Sequence, residues 1–131
     1  MPGWSDELPW IGQYMLDAKG NPVPATDLLE WGAWFESHDR RVALTQFAWG
    51  AVSTVFLGLD HNFFSAPEDD PLGYKPVLWE TMVFVHHSRK NAALVKELDL
   101  EQRRYTSRED ALKGHAEMVE RCKKYGERVK Q

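Results

Sequence analysis

Four residues form the strongest candidate for a chemical site. Asp60 and His61 follow the end of a predicted strand, Glu80 lies inside a run of strand-forming residues, and His115 interrupts the apolar face of a predicted helix. A carboxylate and an imidazole that converge can hold a divalent metal, which is the weaker alternative here, or exchange protons as acid and base. Their types therefore predict a ligand-binding site, with a small hydrolase as the alternative.

Two simpler interpretations of Glu80 stay open at the level of sequence. It can form a structural hydrogen bond with His115, or it can face outward from an open side of the sheet. A buried carboxylate needs a partner, because its desolvation is expensive. Gly114 also suggests a close approach to this part of the helix, since glycine inside a helix costs about 1 kcal/mol relative to alanine. No zincin, P-loop, C-x-x-C or nucleophile-elbow spacing is present, so the sequence favours a binding protein and leaves an enzyme as the alternative.

Three further residues are candidates for ligand contacts. Arg104 and Tyr105 place a guanidinium beside a ring, an arrangement that can bind phosphate, although an exposed edge strand explains them more simply. Trp79 is one of six tryptophans, which either fill a small core or line an aromatic pocket. The pair His86 and His87 faces opposite ways in an extended chain and is expected at the surface.

Composition limits the class of protein. A chain of 131 residues with 43% hydrophobic content is the size of a single domain. Its net charge of −4 argues against nucleic acid as a partner. With Cys122 as the one cysteine, no intramolecular disulfide can form, which favours the cytoplasm. No apolar run reaches about 18 residues, so neither a signal peptide nor a membrane partner is expected, and nothing indicates a cofactor.

The N-terminal residues predict little regular structure. Residues 1–25 are rich in proline and glycine and form an irregular arm or a short hairpin around the turn D-A-K-G-N, with Trp4 and Trp10 tacking the arm onto the body. A helix begins after Asp27, where Glu30 completes a capping box, and it ends near Ser37. Its apolar face comprises Leu28, Leu29, Trp31, Trp34 and Phe35.

The remaining pattern predicts an α+β fold. One strand is expected to begin at Val42, and a second to end near Gly58. A third, central strand spans Val77–Val85, and a charged edge strand spans Leu100–Tyr105. A long helix, capped by Thr106, runs to about Tyr125. Its buried face comprises Ala111, Leu112, His115, Met118, Val119, Cys122 and Tyr125. The prediction is a three- to four-stranded antiparallel sheet with this helix across one face, a shorter N-terminal helix, a core spanning 27–125 and a frayed tail at 126–131.

Three segments resemble a group of small uncharacterised proteins encoded in phage and prophage genomes. They are G-L-D-H-N-F (58–63), E-T-M-V-F (80–84) and R-Y-T-S-R-E-D-A-L-K-G-H-A-E-M-V (104–119). The resemblance covers roughly residues 41–119 and implies a viral or mobile-element accessory protein, without a settled chemistry. The chain is longer than the group's pattern between Phe84 and Arg104, so the segment 86–98, a short helix or a widened loop, is interpreted as its own specialisation.

Three functional hypotheses follow. The first is a non-enzymatic binding protein of phage type in the host cytoplasm, which acts in counter-defence by binding a nucleotide-like small molecule or a host protein. The second is a small hydrolase that uses Asp60, His61, Glu80 and His115. The third is a virion or assembly component in which Trp4 and Trp10 are docking anchors. A homo-oligomer is compatible with each of them.

Overall fold

The computed structural model describes residues 12–61 and 75–130, and from 127 onward the backbone alone. Trp4, Trp10 and the acidic run 68–70 lie outside these ranges. Over the described residues the elements are β1 Tyr14–Leu16, β2 Pro22–Pro24, α1 Leu28–Ser37, β3 Arg41–Phe47, β4 Gly50–Phe56, β5 Trp79–Val85, a 3-10 turn Arg89–Asn91, α2 Ala92–Leu98, β6 Gln102–Tyr105 and α3 Arg108–Lys130. The α+β class is confirmed.

Contacts between Cα atoms divide the chain into two compact units. Unit 1 comprises Met1–Arg40 and Leu57–Leu78, and unit 2 comprises Arg41–Phe56 and Trp79–Gln131. α1 therefore groups with the hairpin β1–β2, whereas the sequence pattern places it with the sheet. The single domain predicted from composition stays a prediction. Each unit is described in turn.

Unit 1 contains the hairpin that the turn D-A-K-G-N predicts. β1 and β2 pair antiparallel, and the Asp17 carboxylate accepts hydrogen bonds from the backbone N–H groups of Lys19 and Asn21, both at 2.9 Å. Gly20 has a φ of 83°, a left-handed conformation that suits glycine in a tight turn. The turn is thus held by one aspartate side chain and one permissive residue.

The helix of unit 1 begins where its cap predicts. The Asp27 carboxylate accepts from the backbone N–H groups of Leu29 and Glu30. The indole N–H of Trp31 lies 3.1 Å from each of two backbone oxygens, those of Tyr14 and Gly58. The predicted apolar face was too wide, because Leu28 and Leu29 are 51% and 86% exposed. α1 is thus joined to the rest of unit 1 through aromatic side chains such as that of Trp31.

Unit 2 is an antiparallel sheet in the order β3-β4-β5-β6, with α3 contacting one face. β5 lies between β4 and β6, so the central strand was correctly predicted. α2 occupies part of the segment 86–98 and contacts both β5 and α3. The core between these elements comprises Trp49, Val52, Val83, Val85, Leu94, Leu98, Met118, Val119 and Cys122.

α3 differs from its prediction at both ends. Its cap is Ser107, whose hydroxyl oxygen accepts from the Asp110 backbone N–H at 3.0 Å, in place of Thr106. The helix continues through Gly126 to Lys130, so the predicted tail is helical that far. The predicted buried face is confirmed for Ala111, Met118, Val119 and Cys122 and wrong for Leu112, which is 39% exposed.

Candidate functional site

Glu80 is the partner of an arginine. In the register of β5 and β6 it lies opposite Arg104, whose Nε donates to the Glu80 carboxylate at 2.9 Å. The Glu80 side chain is 12% exposed and that of Arg104 42%. Arg103, the neighbouring cation, donates to Glu117 at 3.0 Å. The Arg104 guanidinium, which suggested phosphate binding, is therefore engaged by a carboxylate, and so is that of its neighbour Arg103.

His115 lies on the other face of the sheet. Along β5 the alternate residues Trp79, Thr81, Val83 and Val85 are buried, while Glu80 and Met82 face the opposite side. The imidazole of His115, on α3, reaches the buried face: its Nδ1 lies 2.7 Å from the Thr54 hydroxyl and its Nε2 lies 2.9 Å from the Thr45 hydroxyl. Glu80 and His115 therefore do not meet, and the carboxylate–histidine pair of the hydrolase hypothesis is not formed.

The hydrogen bonds that begin at His115 extend across four strands. The Thr54 hydroxyl lies 2.5 Å from that of Thr81, and the Tyr105 hydroxyl donates to Thr81 at 3.1 Å. We call Thr45, Thr54, Thr81, Tyr105 and His115 the threonine–histidine network. Thr54 and Thr81 are fully buried and His115 is 7% exposed. The network lies between strands and helix, so its groups are satisfied by one another.

Burial decides what the network can do. It lowers the pKa of His115, because desolvation disfavours the imidazolium. Among the described residues no carboxylate is hydrogen-bonded to this imidazole, which also has little contact with solvent. Burial also raises the pKa of the Cys122 thiol to about 11, which makes it a poor nucleophile. The arrangement supports a structural role for these groups.

Gly114 provides the close approach that its position in a helix predicts. A Cβ placed on Gly114 would overlap the hydroxyl and ring of Tyr105. The ring occupies the space that any larger residue would fill. The glycine thus permits Tyr105 to reach Thr81.

Asp60 and His61, which belong to unit 1, differ in environment. Asp60 is 7% exposed, and its carboxylate accepts from the Val77 backbone N–H at 2.8 Å. Together with burial, its charge raises the pKa of Tyr14. His61 is exposed, and its backbone N–H donates to the Val77 oxygen at 3.0 Å. Asp60 therefore joins two chain segments, and over the described ranges no three His, Cys, Asp or Glu residues are grouped as a metal site.

Trp79 and Trp49 are core residues. Trp79 is 2% exposed and packs edge-on against Phe56, with ring centroids 5.5 Å apart. Its indole N–H is buried and has no hydrogen-bond partner among the described residues. Trp49 stacks on Phe47 at 4.8 Å within the core. These rings pack against neighbours on the buried side of the sheet, as the simpler interpretation of the tryptophans expected.

Sequence reasoning missed a pocket in unit 1. Its volume is about 490 Å³, within the usual range for sites that bind small molecules. Its walls are the turn of the hairpin β1–β2 and the C-terminal end of α1. The lining residues are Leu16, Asp17, Ala18, Gly20, Trp34, His38 and Asp39. We call it the hairpin–helix pocket.

A pair of stacked rings forms one wall of the hairpin–helix pocket. The Trp34 and His38 centroids are 4.9 Å apart with an interplanar angle of 20°. Their spacing of four residues places both on one side of a helix end. The Nδ1 of His38 also lies 2.9 Å from the Trp34 backbone oxygen. Because a carbonyl only accepts, this contact is a hydrogen bond in the tautomer with the hydrogen on Nδ1, and Nε2 of that neutral ring is then an acceptor.

Acceptors predominate among the polar side chains of the pocket. The carboxylates of Asp17 and Asp39 are acceptor groups, and the Nε2 of His38 is another when the ring is neutral with its hydrogen on Nδ1. The Asp39 charge also favours the charged form of Arg40, opposing the burial that lowers the pKa of Arg40. A ligand with donors and positive charge complements this lining, whereas a phosphate opposes it.

No helix in the described ranges is long and apolar enough to cross a membrane. No family model matches the chain, and no curated protein or solved structure matches it either. The functional assignment therefore depends on the geometry of the described residues, among which the hairpin–helix pocket offers space for a ligand.

Proposed function

We propose that the chain is a non-enzymatic binding module of phage type, and that the hairpin–helix pocket receives a group from a host protein. The observation that carries the proposal is the pocket itself, with about 490 Å³ of space beside a stacked Trp34–His38 pair. An aromatic wall beside a few convergent polar groups is typical of recognition sites.

The remaining candidate residues support binding over catalysis. Glu80 is paired with Arg104, His115 with two threonines, and Asp60 with a backbone N–H. Catalytic acids and bases need access to a substrate. The groups on which the hydrolase hypothesis depended instead hold strands and segments together.

Charge distinguishes the two ligand classes expected from the sequence. Among its described residues, unit 1 contains six aspartates and glutamates against three lysines and arginines. A nucleotide-like ligand would bring phosphates toward Asp17 and Asp39, where like charges repel. A basic segment of a protein brings the opposite charge. The proposal therefore favours the host protein over the small molecule.

Titration of the ¹⁵N-labelled full chain followed by NMR tests the proposal. Short basic peptides are expected to shift the Trp34 indole signal and the backbone signals of Lys19 and Asn21, whereas nucleoside phosphates are not. Trp34→Leu should abolish the shifts of the Lys19 and Asn21 backbone signals. Leu29→Ala, an 86% exposed position on the same helix, is the control and should retain them. Saturable binding of a nucleotide at these signals, or no response to any basic peptide, would contradict the proposal.

A further inference from the structure

We infer that the hairpin–helix pocket binds the guanidinium group of an arginine side chain on the partner protein. This inference rests on the proposed function, because it names the chemical group that the proposed binding module recognises. Three features of the pocket carry it: the acceptor groups in its lining, the flat ring face of the stacked Trp34–His38 pair, and its apolar walls.

The acceptors in the pocket favour a ligand with several hydrogen-bond donors. A guanidinium has five N–H donors and no acceptor. The pocket presents the carboxylates of Asp17 and Asp39 and the acceptor nitrogen of neutral His38. Asp17 already accepts two backbone N–H groups through Oδ1, an arrangement that fixes the orientation of its carboxylate. The Asp17 carboxylate is thus oriented by the fold before the ligand arrives.

Planarity selects arginine over lysine. The Trp34 and His38 rings are stacked on one another, within 20° of parallel, so the flat surface that the pair offers is the outer face of one ring. A guanidinium stacks on such a surface, while an ammonium is a compact point charge. The same unit already contains this contact, since the Arg40 guanidinium carbon lies 3.7 Å from the centroid of Phe35.

The remaining walls suit the stem of the side chain. Leu16 and Ala18 line the pocket beside the carboxylates. Arginine buries its methylene groups against apolar surface while its charged head reaches polar groups. The pocket therefore offers an environment for each part of the side chain.

Charge on the two units supports the same class of ligand. The described part of unit 1 is acidic, whereas that of unit 2 contains 13 lysines and arginines against nine aspartates and glutamates. An acidic surface attracts cations and accelerates their association. The excess of acidic groups is found in the unit that contains the pocket.

Three blocked tripeptides that differ in one side chain test the inference on the full chain. Acetyl-Gly-Arg-Gly-amide is expected to shift the Trp34 indole signal and the Lys19 and Asn21 backbone signals saturably. The lysine peptide should bind at least about fivefold more weakly, because it lacks the stacking plane. The citrulline peptide, which keeps the shape without the charge, should give no saturable shift.

Charge-neutralising variants test whether the pocket carboxylates are the groups that bind the arginine peptide. Asp17→Asn removes the charge and retains the side-chain oxygen that accepts the hydrogen bonds in the turn. Asp39→Asn removes the charge on the opposite wall of the pocket. Each variant should bind the arginine peptide at least about fivefold more weakly than the unchanged protein does. Asp27→Asn is the matched control, because Asp27 caps the same helix at its far end and asparagine is an equally good cap. It removes one charge from unit 1 and should leave binding unchanged.

The outcomes separate the inference from the proposed function. Equal binding of the arginine and lysine peptides at the pocket signals would overturn the inference and leave the binding module standing. Equal weakening by Asp27→Asn, or saturable binding of the citrulline peptide, would also overturn it, because the pocket carboxylates would not be the group recognised. No response to any basic peptide would overturn both.

Discussion

The backbone of Gly114 lies against the ring of Tyr105 so closely that no Cβ fits between them. This contact lets the Tyr105 hydroxyl donate to Thr81, which lies 2.5 Å from Thr54 and so joins the threonine–histidine network. A glycine in the middle of α3, costly for helix formation, is explained by a contact between helix and sheet. The threonine–histidine network therefore depends on Gly114.

Gly114→Ala is expected to destabilise the protein by about 1–3 kcal/mol. Alanine favours the helix by about 1 kcal/mol, but Tyr105 would have to move and lose its bond to Thr81. Urea unfolding measures the difference. Gly126→Ala is the matched control on the same helix, because its Cβ would meet only the Trp49 indole nitrogen at 3.4 Å, an ordinary contact. It should be neutral or stabilising, and an equal loss in both variants would refute the explanation.

Stability should fall in mild acid because of His115. Burial lowers the pKa of this imidazole, so the unfolded chain takes up the proton at a higher pH than the folded protein does. The contribution is fully present above about pH 6.5 and is lost as the pH falls through the folded pKa, by up to about 1.4 kcal/mol per pH unit. Urea unfolding between pH 7.5 and 5 measures it.

His115→Gln removes this titration and is the reference for that experiment. The other histidines, including His87 beside Asp99, remain in both proteins and cancel in the comparison. The variant is expected to be less stable at pH 7.5 and to lose less stability on acidification. Parallel curves for the two proteins would show that His115 does not cause the pH dependence.

Local patterns in the sequence predict much of the fold. Alternation of apolar and polar residues predicts β3 and β4, and the turn D-A-K-G-N predicts the hairpin of unit 1. Both signals lie within a few residues, where backbone preference and side-chain spacing act directly. The long apolar repeat predicts α3 for the same reason, although a cap one residue later and an exposed Leu112 show the limits of the pattern.

The site depends on information that is not local. Glu80 lies in a strand whose two faces are both apolar, so alternation cannot say which face is covered by α3. Thr54 and Thr81 look like ordinary strand residues, and only the register that pairs them reveals a polar centre. The hairpin–helix pocket joins a turn and a helix end some 17 residues apart. Trp34 and His38, spaced four apart, were its one local signal.

Trp79→Phe should cost less stability than Trp31→Phe, although Trp79 is the more buried residue. The Trp79 N–H has no partner among the described residues, so its removal relieves an unsatisfied donor and offsets part of the lost packing. The Trp31 N–H lies 3.1 Å from two backbone oxygens, and those bonds are lost. We expect a change within about 1 kcal/mol for Trp79→Phe and a loss of about 1–2 kcal/mol for Trp31→Phe. Denaturant midpoints would decide, and the reverse order would indicate that packing dominates.

Leu100→Gly is expected to stabilise the protein by about 0.5–1 kcal/mol. Leu100 has a φ of 64°, a left-handed conformation that is unfavourable for a residue with a Cβ and freely available to glycine. Its side chain is 60% exposed, so its removal sacrifices little burial, and its backbone N–H donation to the Val83 oxygen is retained. Leu100→Ala is the control, because it removes the side chain but keeps the strained conformation and should bring no gain. Thermal and urea unfolding of the two variants separate these effects, since a glycine variant no more stable than the alanine variant would mean that this turn carries no strain.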